Sequence, residues 1–69
     1  MQELYVIIGK RIAEERLRKN LSQEYLAEIP NLHRNYIGYI ERGEKHASID
    51  TLLRITKALN ISLEWLFRG

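Results

Sequence analysis

Three serines, a set of asparagines and one glycine cut this chain into short segments with apolar periodicity. Ser22, Ser48 and Ser62 each stand just ahead of such a segment. A short hydroxyl there can accept a bond from the unpaired N–H groups that open a helix. Asn20, Gly43 and Asn60 each stand just behind one, and Asn31 sits where a turn is needed. Asn and Gly tolerate the left-handed backbone that closes a helix. The punctuation predicts a first helix over 3–19, a second over 23–29, a third from 32 or 33 to 42, a fourth over 49–59, and a short last one after Ser62. Tyr5-Val6-Ile7-Ile8 alone would suit a strand or a buried helix, but Ile8, Ile12 and Ala13 continue at helical spacing. Pro30 lacks an N–H and disfavours helix at Ile29, so the second helix should stop there.

The second and third helices are then separated by almost nothing, and helices so joined meet at a steep angle, as in a helix-turn-helix. The expected fold class is all-α: a compact bundle of five short helices forming a single domain over 1–69. A chain of 69 residues suffices for one domain. A domain this small buries only about 60% of the surface its unfolded chain exposes. There is no cysteine, so helix packing must supply the core, supplemented by any partner subunit. No apolar run is long enough to span a bilayer, and no signal-peptide pattern occurs. The expectation is a cytoplasmic protein with no membrane partner.

The formal net charge is +2, which says little by itself. Lys10, Arg11, Arg16, Arg18 and Lys19 crowd the first segment, and Arg34, Arg42 and Lys45 follow in the middle. That distribution suits a polyanion partner, or simply solvated helix faces. The third helix is more informative. Ile37 and Ile40, with Tyr36 partly beside them, fall on one side and would plug the core beneath the second helix, where Ala27 is small enough for a close crossing. Arg34, Asn35, Gly38, Tyr39 and Arg42 form one continuous stripe on the other side. Arg can give two bonds to the O6 and N7 of guanine, and Asn can both donate to and accept from adenine. Tyr39 could bond a phosphate or pack on a thymine methyl. A glycine within a helix costs about 1 kcal/mol relative to Ala, so Gly38 implies a close approach of DNA or of neighbouring backbone. On periodicity alone, the stripe could equally be the solvent side of an amphipathic helix.

The stretch LSQEYLAEIPNLHRNYIGYIERGEK resembles the helix-turn-helix family of phage repressors, Cro and xenobiotic-response-element-type regulators. Leu21, Ser22, Gln23, Glu24, Leu26, Ala27, Ile37, Ile40, Glu41 and Gly43 fill the family's places, and TLLRITKALNISLEWLF is similar to its closing helices. The resemblance implies a phage-repressor-like DNA-binding domain with residues 32–42 in the major groove. Departures are Asn31 and Pro30 at the turn, His33 where Ser or Thr often caps, and Ala47 where Pro is frequent. His33-Arg34-Asn35-Tyr36-Ile37 followed by IERGEK further resembles the controller proteins of restriction–modification systems. Those are free-standing homodimers that bind operators, activating and, at higher occupancy, repressing. The same length suits a phage-type repressor or an antitoxin-like autoregulator.

The expected roles follow. Arg34, Asn35 and Tyr39 read bases, with Gly38 admitting close approach. The resemblance implies that Gln23 bonds a phosphate. His33, Tyr36, Arg42, Lys45 and Arg11 are further candidates for the DNA backbone. The resemblance also implies that Arg16 pairs with Glu41 and fixes the third helix to the scaffold. Ile49, Leu53, Trp65, Leu66 and Phe67 serve either the core or a two-fold dimer interface. Double-stranded DNA and a second copy are the expected partners, and transcription would change because the dimer blocks RNA polymerase or touches it. No ligand spacing, phosphate loop or nucleophile motif is recognisable, so no cofactor, metal or enzymatic activity is expected. The rival class is a protein-interaction module on the same scaffold, which should expose Leu, Met or Phe in place of Arg34 and Asn35.

Overall fold

A computed structural model describes residues 2–28 and 31–68. They form α1 (Gln2–Arg18), α2 (Gln23–Glu28), α3 (Arg34–Glu41), α4 (Ile49–Leu59) and α5 (Leu63–Phe67), with no strand among the described residues. The all-α expectation holds, with helix ends within two residues of those read from the punctuation. Ile29 and Pro30, on which the end of the second helix was argued, lie outside the described residues.

Helix ends follow the sequence because their chemistry is local. Ser22 Oγ accepts from the Tyr25 N–H at 3.0 Å, Ser48 Oγ from the Thr51 N–H at 3.1 Å, and Ser62 Oγ from the Trp65 N–H at 3.0 Å. Asn20, Asn31 and Asn60 all have φ near +60°, and Gly43 has φ +74°. At each, the next residue's N–H reaches back to a carbonyl five positions earlier: Leu21 to Arg16, Leu32 to Ala27, Glu44 to Tyr39 and Ile61 to Thr56. This is the closing motif that satisfies helix-end carbonyls, used here for α1 through α4.

The core is one cluster of Ile8 and Ile12 from α1, Leu26 and Ala27 from α2, Ile37 and Ile40 from α3, Leu52, Ile55 and Leu59 from α4, and Leu66 from α5, closed by Ala47 in the loop. Each large aliphatic side chain buried this way stabilises the fold by about 1.5–3 kcal/mol. Helix α3 packs against α2 and α1, while α5 packs against α1 and α4. Leu66, expected among the interface candidates, is fully buried within this core and has no surface to offer a partner.

Backbone approaches backbone closely between α1 and the end of α3. A Cβ added at Gly9 would lie 2.1 Å from the Ile40 carbonyl oxygen and 2.8 Å from that of Glu41. One at Gly43 would lie 2.8 Å from Val6 Cγ2. Only a residue without a side chain lets α1 touch α3 there. Gly9→Ala should therefore lower stability by about 1–3 kcal/mol, the usual cost of overpacking, in urea denaturation. An unchanged midpoint would mean the contact has slack that the geometry does not show.

Candidate nucleic-acid interface

Helix α3 spans only eight residues, too few to hold a shape by itself, so its position comes from its caps and neighbours. At its start His33 takes the extended backbone of an N-cap, and its Nδ1 accepts from the Asn35 N–H at 3.1 Å. The imidazole thus does the work that Ser or Thr does elsewhere, and Nε2 is left out of the cap. The third helix was expected to run from 32 or 33 to 42. It is shorter because His33 and Arg42 are its caps.

At its other end Glu41 meets a bidentate partner. Arg16 Nε donates to Glu41 Oε2 at 2.7 Å and Nη2 to Oε1 at 3.1 Å. Arg16 Nη1 also donates to the Leu21 carbonyl at 2.8 Å, and Gln23 Nε2 donates to Glu41 Oε1 at 2.9 Å. The two charged side chains are only 12% and 6% exposed. The anticipated Arg16–Glu41 pair is present, with Gln23 added to it. A buried pair satisfied by extra hydrogen bonds specifies an arrangement, because losing one partner strands a charge.

Over this network the surface forms two adjoining depressions. One, of about 560 Å³, is lined by Arg16, Ser22, Gln23, Glu24, Arg34 and Asn35. The other, of about 240 Å³, is lined by Gln23, Asn35, Gly38, Tyr39 and Arg42. Gln23 and Asn35 belong to both. Arg34, Asn35, Tyr39 and Arg42 are exposed as the helical stripe required. The Tyr39 ring lies under two cations, with Arg42 Cζ 5.2 Å and Lys45 Nζ 5.3 Å from its centroid. Arg42 Nε donates to Glu44 Oε2 at 3.0 Å, and that hydrogen bond holds the guanidinium pKa above its usual value.

Several expected residues stand elsewhere. Gly38 is buried and presents no edge to a base. Its missing Cβ leaves room for Arg42 Nη1 at 3.1 Å and the Gln23 amide at 3.6 Å, so it is the floor of the second depression. Tyr36 is half-buried against the core. Arg11 is not brought to this surface. Its Nη1 donates to the Trp65 and Leu66 carbonyls at 3.0 and 3.1 Å, with the guanidinium over the Trp65 ring. It therefore closes the end of α5 instead of extending a basic face. Arg18 and Lys19 are similarly engaged, both by the buried carboxylate of Glu15.

The family profile described as Helix-turn-helix matches residues 12–66. The chain belongs to the helix-turn-helix family. Control protein C.SmaI of Serratia marcescens is 47% identical over 57 residues, which are 83% of this chain and 68% of that one. The restriction–modification controller protein C.AhdI from Aeromonas hydrophila superposes with a TM-score of 0.88 at 41% identity, covering 91% of this chain and 96% of that one. C.Esp1396I, solved as a tetramer in complex with its natural 35 base-pair operator, superposes with a TM-score of 0.83 at 38% identity, covering 93% of this chain and 84% of that one.

Sequence reasoning within this helix-turn-helix chain missed Gly9, Glu24 and Glu44. Gly9 does carry a signal in the sequence, since a mid-helix glycine asks for a close approach there as it does at Gly38. For Glu24 and Glu44 no local pattern singles out the cation each one meets. The ion pair yields a contrast in stability. Glu41→Ala should cost about 3–5 kcal/mol by stranding Arg16, whereas Asn35→Ala, on the exposed stripe, should stay within about 0.5 kcal/mol of the parent. Thermal unfolding of both variants checks this, and equal small losses would show the Arg16–Glu41 pair to be dispensable.

Proposed function

We propose that this chain is a sequence-specific DNA-binding transcription regulator of the restriction–modification controller type, working as a homodimer on a near-palindromic operator. The observation that carries the reading is the polar stripe of α3. Arg34, Asn35, Tyr39 and Arg42 are exposed together on a helix whose end is anchored by a buried ion pair. The relatives supply the class, since C.SmaI is a control protein and C.Esp1396I is solved on its operator.

In this reading Arg34 offers two N–H groups to guanine and Asn35 offers its amide to adenine. Tyr39 meets a phosphate or a thymine methyl. Arg42 and Lys45, both over the Tyr39 ring, and His33, through Nε2, meet phosphates that set register without carrying sequence information. Gln23, lining both depressions, gives one amide N–H to Glu41 and has a second to offer a phosphate oxygen. The protein acts in the cytoplasm, where a dimer on the operator blocks RNA polymerase or touches it.

The dimer reading rests on α4. Ile49 and Leu53, one helical turn apart, are 56% and 49% exposed, and Phe67 of α5 is exposed as well. Trp65 is half-buried against the core and adds less. An apolar pair of this kind with a neighbouring aromatic ring suits a two-fold contact that adds to a small core. It would set two copies of α3 in successive major grooves about 34 Å apart.

Selection from a random duplex pool should enrich a near-palindrome, with affinity for it falling log-linearly as salt rises. The Arg34→Ala, Asn35→Ala double variant should stay folded and lose about 2 kcal/mol or more of discrimination. No enrichment by folded protein would sink the regulator reading and favour a protein-interaction module. Separately, Leu53→Asp should give a folded monomer in sedimentation and weaken binding to the palindrome more than to a half-site. Unchanged association in that variant would remove α4 from the interface.

A further inference from the structure

Arg34 does not project alone. Its Nη1 lies 3.2 Å from Oε2 of Glu24, a residue of α2, and both line the larger depression with Gln23 and Asn35. The side chains are 61% and 68% exposed, so burial does not force them together. The contact engages one nitrogen of the guanidinium. The edge formed by Nε and Nη2 is left over, and a guanine edge needs two parallel N–H groups. Arg34 can therefore keep Glu24 and take guanine at once.

We infer that Glu24 is a specificity-determining positioning residue, which aims Arg34 from α2 and at the same time weakens binding to DNA that offers no guanine at that place. The inference rests on the regulator reading above. Two effects act together. A carboxylate beside a phosphate row opposes every DNA complex alike, because phosphate contacts carry no sequence information. The orienting contact helps only the complex in which Arg34 finds its base, because a tethered guanidinium has less freedom to lose on binding. The gap between operator and unrelated DNA widens through the orienting contact, while the uniform penalty lowers occupancy of DNA that offers nothing in return. The other guanidinium of the stripe supplies an internal comparison. Arg42 is held by Glu44 through Nε at 3.0 Å, at the C-cap of α3, where a phosphate contact is proposed. Relieving that carboxylate should strengthen all duplexes by one factor.

The test uses the full chain as wild type, Glu24→Gln, Arg34→Ala, the Glu24→Gln, Arg34→Ala double variant and Glu44→Gln. Binding is measured to the selected operator, to the operator altered at the pair to which Arg34→Ala is indifferent, and to an unrelated duplex. Glu24→Gln should bind the unrelated duplex up to about fivefold tighter, the scale of one exposed ion pair, and should lose part of the preference for guanine at the altered pair. In the Arg34→Ala background Glu24→Gln should leave that preference unchanged, since nothing remains to be aimed. Glu44→Gln should tighten all three duplexes together. Glu24→Gln tightening all duplexes equally, with guanine preference intact, would overturn the inference and leave Glu24 a bare charge. A change in discrimination at that pair when Glu24→Gln is made in the Arg34→Ala background would overturn it too. Glu24→Ala repeats the test, with melting curves confirming that each variant is folded. If the wild type selects no sequence at all, the regulator reading fails and this inference goes with it. If it selects an operator, only the Glu24 result is in question.

Discussion

The C-terminal end of α3 is clamped from two sides, and the exposed stripe is only as well placed as that end. From α1, Gly9 lets backbone meet backbone at the Ile40 and Glu41 carbonyls. From α1 and α2 together, Arg16 and Gln23 converge on the Glu41 carboxylate, while Arg16 also bonds the Leu21 carbonyl just past the end of α1. The two clamps differ in kind. The first is steric and sets a distance. The second is electrostatic and sets a rotation, because a guanidinium fork fits a carboxylate in one plane. An eight-residue helix with both constraints at one end and a His33 cap at the other has little freedom left.

Short helices make a second demand. Each has several N–H and C=O groups without a partner inside the helix, and a chain of five short helices has many such ends for its size. Serine hydroxyls and the His33 ring each accept from an N–H at the starts of α2 to α5, and left-handed Asn or Gly closes the ends of α1 to α4. Arg11 does a similar job for α5 through its side chain. Among the described residues no buried side-chain polar atom is left without a partner. A small core can hold this fold because so few polar groups work against it.

Charge is arranged in pairs instead of a uniform basic surface. Glu15, Glu24, Glu41 and Glu44 each hold one or more of the cations that a count along the sequence would assign to a polyanion. Recognition in the proposed reading then depends on what the stripe can bond, with less help from a general positive field. The apolar surface is also divided. Leu66 closes the core, while Ile49, Leu53 and Phe67 remain outside.

The sequence by itself determined where the helices are, how they end and which residues of α3 share a face. Caps, left-handed closures and helical periodicity all act within a few residues, so Ser22, Asn20, Asn31, Asn60 and the Arg34–Asn35–Tyr39–Arg42 stripe could be read directly. Family resemblance added the Arg16–Glu41 pair, which spans 25 positions and has no local signature. The tertiary structure decided the rest. It took Arg11 to α5, turned Gly38 into a floor, put Leu66 inside and set Glu24 against Arg34. Each of these depends on the crossing of two helices, and a crossing is fixed by packing among residues far apart in the chain, which no local pattern records.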